Sequence, residues 1–571
     1  MKFIPKDVPH ATSLRAIAKY NAVKRGEKTA FKYIGNNKEI VEVSYFEYSE
    51  NVEKMIYALK KCGFEGKRIA IIGETCPEWL ESYYAIISAG AVAIPFDKEL
   101  LYDQIKGFLS VAQANAIIMS PKYSQKYDDL KAAGVFDELE LVVRVDDGTE
   151  WTVDDDKLIK FSEFIKKGED VERESDADIM RKPSRGDMSV MLFTSGTTGT
   201  SKCVMLSERN QISCARAAVR ATDFYEDDVM LSVLPIHHTY ELTINVALQS
   251  LGATCCINDS LKHVLKNLQL FKPTGIVIVP LFASTFKKKI MDEVKKKGKE
   301  GTLKVGMLAS GAMRTLGVDL RRRLFAEILS AFGGNLKKII CGGAAMKPEL
   351  MKFFDDLGIT LCEGYGITEC SPLIAVNPYH KRKKGSVGPA CTCCEIRIDA
   401  EMEDENGNLT GEILVRGENV MLGYYDDPEA NANAFTEDGW FRTGDIGYMD
   451  AEKYLYITGR CKSVIVLENG KNVFPEEIEE YLAEVAGIAE CVVVGRKKEE
   501  TDEVVLTAVV YPDFNSYDKN TSVSDIGDDI KRKIMEINKK LPSFKQIRNI
   551  EIRKTEFEKT TTRKIKRFLV K

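Results

Sequence analysis

The sequence predicts an α/β protein: a large N-terminal domain of parallel α/β sheets, a small β-barrel subdomain, and a smaller α+β domain at the C-terminus. Three observations carry this. Lys67-Arg68-Ile69-Ala70-Ile71-Ile72-Gly73 reads as a buried strand, a helix opened by Pro77 follows, and Ala91-Val92-Ala93-Ile94-Pro95 reads as a second strand. Strand, helix and strand within about thirty residues make a βαβ unit, which implies a parallel sheet covered by helices. From Ser386 onward the pattern changes to short alternating strands with polar turns. The last hundred or so residues alternate two amphipathic helices with strands, the pattern of a separate small domain.

The bulk properties bound the function. The 571 residues leave room for several cores. Lys and Arg number 81 against 86 Asp and Glu, a net charge of −5, which lacks the basic excess of a nucleic-acid binder. Fourteen cysteines without framework spacing point to a reducing compartment. Cys391, Cys393 and Cys394 lie too close together for a tetrahedral zinc site, and no second Cys or His pair stands at finger spacing. The start, Met1-Lys2-Phe3-Ile4-Pro5-Lys6-Asp7, lacks the apolar core of a signal peptide, and no run is apolar enough to span a membrane. A cytoplasmic protein is expected.

In chain order, a helix is expected around residues 13–24, then a strand pair, then the βαβ unit with Trp79, Leu80, Tyr83, Tyr84, Ile86 and Ile87 on its helix. Strands follow at 116–119 and 141–145, and a polar stretch over 146–187 leads to a loop. There Ser189-Val190-Met191-Leu192-Phe193-Thr194 breaks into Ser195-Gly196-Thr197-Thr198-Gly199-Thr200-Ser201-Lys202. Such a loop gathers backbone N–H groups, hydroxyls and one ammonium around a point, as phosphate oxygens require. Gly199 and Lys202 are separated by Thr200 and Ser201, so the Walker pattern is not met.

A strand over 229–235 ends at Ile236-His237-His238-Thr239-Tyr240-Glu241, and ligands of open parallel sheets bind at such carboxyl ends. The basic runs between 262 and 323 leave two readings open: a solvated helix face, or a surface resting on an anionic membrane. Another strand ends in Cys341-Gly342-Gly343-Ala344-Ala345, a flat surface suited to a planar base. Glu363-Gly364-Tyr365-Gly366-Ile367-Thr368-Glu369 offers an aromatic face, a hydroxyl and a carboxylate of the kind Mg²⁺ prefers. Barrel strands are expected at 395–398 and 412–415 with a Gly423-Tyr424-Tyr425 turn, then Gly439-Trp440-Phe441-Arg442-Thr443-Gly444-Asp445-Ile446-Gly447. Asp445 can accept two hydrogen bonds, as a ribose diol needs. A strand over 454–458 ends at Gly459-Arg460-Cys461-Lys462-Ser463. In the small domain a strand turns at Asn469-Gly470, a helix enters at Pro475, and a second helix carries Ile530, Ile534, Ile537 and Leu541. The tail reads Lys559-Thr560-Thr561-Thr562-Arg563-Lys564-Ile565.

Taken together and in this order, from about residue 15 to the end, these phrases resemble the adenylate-forming (acyl- and aryl-CoA synthetase) superfamily, in particular its long-chain fatty acid–CoA ligase branch. Three positions depart from its pattern: Ser201 replaces a usual proline, Cys203 a usual glycine, and Arg563 a usual glycine. The resemblance implies domains at 1–459 and 464–571 with a hinge at 460–463, the C-terminal one mobile about Lys462. It implies a phosphate loop of Thr194, Ser195, Gly196, Thr197, Thr198, Gly199 and Lys202. Adenine would pack between Tyr365 and the Gly343–Ala344 backbone, beside Gly366 and Thr368, with Mg²⁺ on Glu369. His238 would line the acyl pocket, Asp445 would meet the ribose and Arg460 the ribose or a phosphate, Lys564 would be catalytic, and the Gly470 loop would reach the pantetheine channel.

The implied reaction uses ATP, Mg²⁺ and coenzyme A. A fatty acid of medium or long chain becomes acyl-AMP with release of pyrophosphate, and a thiol then displaces AMP. Two alternatives stay open: delivery to the phosphopantetheine of an acyl carrier protein, and a non-catalytic nucleotide- or acyl-binding regulator. No nucleic-acid partner is expected, and the basic segment admits a location peripheral to the inner face of the membrane.

Overall fold

The computed structural model describes residues 12–146, 155–194, 201–403, 407–467, 472–483, 485–497, 504–518, 521–539, 541–559 and 565–570. The chain divides into two compact units. One comprises Met1–Thr194, Ser201–Glu395 and Val415–Phe435; the other comprises Ser195–Thr200, Ile396–Leu414 and Thr436–Lys571. Among the described residues no helix is long and apolar enough to cross a membrane.

The first unit holds two eight-stranded sheets. One runs in the order Leu373–Val376, Thr360–Gly366, Lys338–Gly342, Gly275–Ile278, Val229–Ser232, Thr254–Ile257, Thr29–Ile34, Ile40–Ser44, and its inner strands are parallel. The other runs Gly423–Tyr424, Lys202–Ser207, Met188–Thr194, Val92–Phe96, Arg68–Ile72, Ala116–Met119, Leu141–Arg144, Leu158–Lys160. The βαβ unit is as expected: Arg68–Ile72 and Val92–Phe96 pair in parallel, joined by the helix Pro77–Ser88. Ile69, Ala70, Ile71 and Ile72 are fully buried, as a strand covered on both faces must be. Capping sets the helix starts. Ser13 accepts from the Ala16 N–H ahead of Leu14–Arg25, and Ser44 with Glu47 forms a complete capping box ahead of Tyr45–Lys61.

Residues 155–187 hold more regular structure than their polarity predicts. They contain the strand Leu158–Lys160 and the helices Phe161–Lys166 and Asp176–Arg181. Each short element is held by one or two buried side chains, Phe161 and Phe164 or Ile179.

In the second unit the strands expected to form a barrel make a four-stranded sheet ordered Cys394–Glu403, Leu409–Gly417, Phe441–Met449, Leu455–Arg460. A three-stranded sheet follows. Ile488–Lys497 pairs antiparallel with Val504–Pro512, which pairs parallel with Asn549–Ile552. The helices Pro475–Leu482 and Val523–Asn538 bury Ile478, Leu482, Ile526, Ile530 and Ile534 in its core. The four-residue spacing of the last three places them on one helix face. Ile465–Val466 pairs with Asn472–Val473, shorter than the strand expected there, and the Asn469-Gly470 turn lies outside the described residues.

Ile530 is fully buried, so Ile530→Ala leaves a cavity. The expected cost is roughly 2–5 kcal/mol, read as a lowered unfolding transition in differential scanning calorimetry.

Candidate active site

Parallel strands stop hydrogen bonding at a common edge, and several of the candidate residues fall there. Lys338–Gly342 ends in Gly342, and Thr360–Gly366 ends in Tyr365 and Gly366. Val229–Ser232 leads to His237 and His238. All three belong to the parallel part of the first sheet. Gly343 adopts φ +82°, a left-handed conformation that favours glycine, and Ala344 beside it is exposed. Gly366 is required for a different reason. A Cβ there would lie 2.1 Å from the Pro372 carbonyl oxygen, and the Ile367 N–H donates to that same oxygen at 2.9 Å. Tyr365 is buried, and Thr368 and Glu369 follow in the single 3₁₀ turn Thr368–Cys370.

The expected phosphate loop begins and ends on two strands of the second sheet. Met188–Thr194 and Lys202–Ser207 pair antiparallel with Thr194 opposite Lys202, and the Thr194 hydroxyl donates to the Lys202 carbonyl at 3.4 Å. Ser195, Gly196, Thr197, Thr198 and Gly199 lie outside the described residues. The Lys202 ammonium stands 4.4 Å from the Tyr424 ring centroid, within cation–π range. The Tyr424 hydroxyl donates to Glu369 Oε1 at 3.0 Å. Burial, together with the Glu369 carboxylate, pushes the Tyr424 hydroxyl well above its ordinary pKa, so it remains a donor. One side chain thus touches both the lysine and the carboxylate that the sequence singles out. Sequence reasoning reads Gly423-Tyr424-Tyr425 as a turn and misses this role. Its pairing is not local: Gly423–Tyr424 is an edge strand bonded to Lys202–Ser207.

The histidine pair joins the two sheets. Asp97 follows Val92–Phe96, the parallel neighbour of Met188–Thr194, and its Oδ2 lies 3.6 Å from His237 Nε2. Burial holds the His237 imidazole down to about 3, with Lys98 adding to the effect, so the contact is not an ion pair at neutral pH. His238 occupies the position before the helix Thr239–Leu251, half-buried, its ring 4.2 Å from that of His237. One turn on, Glu241 is buried against the Ser232 hydroxyl, which donates to it, and burial raises its carboxyl to about 7.

In the second unit Asp445 and Arg460 are cross-strand partners in register, with Arg460 Nε 3.0 Å from Asp445 Oδ1. The Asp445 side chain is 4% exposed and that of Arg460 47%. The sequence reads them as two separate contacts; the structure makes them a pair. Lys462 is exposed in the turn Cys461–Ser463. Lys564 and Gly470 lie outside the described residues; Lys559 and Ile565, which flank Lys564, form an antiparallel bridge.

His237 is neutral when folded but takes a proton near 6.5 when unfolded. The unfolded state therefore binds more protons below that value, and this contribution to stability is lost as pH falls from 6.5 toward about 3. Glu241 works in the opposite sense, losing its contribution as pH rises from 4.5 to about 7. His237→Gln, which cannot titrate, is expected to flatten the acid limb of stability against pH, as measured by urea unfolding across that range.

A model of the AMP-binding enzyme family matches residues 18–425, and one of the AMP-binding enzyme C-terminal domain matches residues 462–570. A long-chain-fatty-acid–CoA ligase of Mycobacterium bovis is 27% identical over 544 residues, 88% of this chain and 86% of its own. An indoleacetate–CoA ligase of Aromatoleum aromaticum is 31% identical over 481 residues, 82% and 83% of the two chains. Two solved structures share the fold. An anthranilate CoA ligase in complex with anthranoyl-AMP superposes with a TM-score of 0.75 at 20% identity, covering 99% of this chain and 97% of its own. ATP-bound MatB from Rhodopseudomonas palustris gives 0.73 at 23%, covering 98% of each. This chain belongs to the AMP-binding enzyme family.

Proposed function

We propose that this AMP-binding enzyme is an AMP-forming acid–thiol ligase that activates a fatty acid with ATP and passes the acyl group to coenzyme A. The observation that carries the reading is the set Lys202, Tyr424 and Glu369 beside the strand ends that carry Gly343, Tyr365 and Gly366. An ammonium, a carboxylate and a flat aromatic shelf are what a nucleoside triphosphate needs. Fatty acid as the substrate rests on the relatives named long-chain-fatty-acid–CoA ligase, which align over nearly the whole chain. The indoleacetate–CoA ligase, at higher identity, favours an aryl acid as the second reading.

In the first step a carboxylate oxygen bonds to the α-phosphorus of ATP, and the bond to pyrophosphate breaks. The obstacle is charge, since one anion must approach another. Lys202 would offset charge on the phosphates, and Lys564 would do so at the reacting group. Tyr365 and the Gly343–Ala344 backbone would hold the adenine, and Asp445 and Arg460 the ribose. The donor chemistry fits Mg²⁺, which takes one or two carboxylates plus phosphate oxygens: Glu369 offers a single carboxylate, oriented by the Tyr424 hydroxyl. Glu369 would hold it, and when bound it supplies positive charge beside the phosphates. Tyr424 would orient that carboxylate. In the second step a thiolate displaces AMP from the anhydride. Lys564 serves only the first step, so we assign Lys462 as the pivot that withdraws it.

The test is AMP release from ATP across acids from acetate to oleate plus benzoate and indoleacetate, each with and without CoA. CoA-dependent turnover rising with chain length supports the reading. A maximum at indoleacetate transfers it to an aryl acid, acyl-AMP formed without response to CoA transfers it to a carrier-protein acceptor, and silence with every acid leaves a regulator. Tyr424→Phe removes a hydrogen bond to a charged group while keeping the ring, and is expected to lower kcat/KM for ATP by about tenfold or more. Lys564→Ala is expected to abolish acyl-AMP formation and spare thioester formation from added acyl-AMP; equal loss of both would refute that division of labour.

A further inference from the structure

The first unit holds a cavity of about 410 Å³, within the size range of small-molecule pockets, that shares no residue with the candidate nucleotide site. Its walls are the helices Tyr45–Lys61 and Pro77–Ser88, which pack together, and the strand pair Thr29–Ile34 with Ile40–Ser44. Four carboxylates line it against the single ammonium of Lys54: Glu47 and Glu50 on one helix, Glu78 and Glu81 on the other. The members of each pair stand three residues apart, so each pair shares one face of its helix.

The outer groups have partners. Glu47 caps its own helix through Ser44, Arg173 meets Glu50 at 3.0 Å, and Glu169 meets Lys54 at 2.7 Å. No ion pair joins Glu78 or Glu81 to a cation among the described residues. Glu81 is 2% exposed, and the Asn51 amide donates to its Oε1 at 2.9 Å. Its Oε2 is buried without a hydrogen-bond partner among the described residues. A carboxylate so placed is costly unless a counter-charge meets it. Burial, with Glu78 adding to the effect, raises the Glu81 carboxyl to about 8, so the chain alone answers this group with a proton.

The rest of the lining is apolar and aromatic, with Tyr33, Val43, Phe46 and Pro77. Phe46 and Glu47 are exposed while Pro77 and Glu81 are buried, so the cavity leads from a mouth in solvent to a buried carboxyl. A divalent cation draws its oxygen ligands to about 2.0–2.6 Å from one point. Here the carboxylates are divided between two helices, with apolar side chains among them. A chain of methylenes that carries ammonium groups at intervals matches this division. Its charges meet the two carboxylate pairs, its methylenes meet Val43 and Pro77, and a ring face accepts a cation. We infer that this cavity binds an aliphatic di- or polyamine, anchored by Glu81 and Glu78. The inference does not depend on which acid the enzyme activates, because binding is read without turnover.

The experiment is isothermal titration calorimetry of the full chain with spermidine and, separately, with Mg²⁺, both at matched ionic strength, alongside thermal unfolding. Spermidine is expected to bind saturably at one site per chain and to raise the unfolding midpoint. Glu81→Gln removes the charge and keeps the shape. It is expected to weaken spermidine by about tenfold or more, with the midpoint of the unliganded protein unchanged or raised. Glu78→Gln should weaken it separately, and serves as the second arm should Glu81→Gln perturb folding. Glu300→Gln, which alters an exposed carboxylate outside the cavity, should leave the affinity as it is. Absence of saturable spermidine binding, or equal affinity in the parent and both cavity variants, would overturn the inference. So would binding of Mg²⁺ that Glu81→Gln abolishes with no response to spermidine, which would assign the cavity to a metal ion.

Discussion

In a parallel sheet every strand releases its last carbonyls and amides at the same edge, and there the chain must leave the sheet without a regular partner. The candidate site of the first unit is built on that constraint. Gly342, Tyr365 and His237 come from three different stretches of sequence, yet the first two lie in the last residues of strands that end at this edge and the third in the segment that leaves a third such strand. The strands themselves, buried on both faces, are held in register by parallel neighbours on each side. Tyr424 adds the link across the second sheet, and it can do so only because its own short strand is pinned opposite Val204.

Near this edge the protein buries groups that water would charge. His237 is held neutral and Glu241 is held protonated toward neutral pH, both by loss of solvent. Their effects on stability oppose each other through the mildly acidic range, so neither imposes a steep dependence on the fold there. The candidate site carboxylates Glu369 and Asp445 differ in kind: each has a specific partner, a tyrosine hydroxyl or a guanidinium.

Much of this was legible in the sequence, for identifiable reasons. The βαβ unit shows because Ile69–Ile72 and the helix after Pro77 have unambiguous periods, and the helix with Ile530 and Ile534 shows for the same reason, although Ile526 escaped the reading and Leu541 falls beyond the helix end at Asn538. The elements inside residues 146–187 do not show, since six residues anchored by Phe161 and Phe164 or by Ile179 are too few to display a period. At the site, residues that end strands were readable from the break between apolar run and glycine. Tyr424 was not: its partner Glu369 is 55 positions away, and only edge pairing brings them together. The Asp445–Arg460 pair was seen as two residues but not as one unit, because register across a hairpin is a property of the sheet rather than of either motif.

The Asp445–Arg460 pair has a consequence for selectivity. The carboxylate has already given up its water on folding and is held in one orientation by a guanidinium that itself remains half in solvent. A ligand hydroxyl that donates to Asp445 therefore meets a rigid, dry acceptor and incurs little of the ordering and dehydration that a surface carboxylate would demand. The same rigidity is unforgiving. Under the proposed role, a nucleotide lacking that hydroxyl leaves a desolvated lone pair unanswered, so the pair would sort ribose from deoxyribose by what the sugar fails to offer.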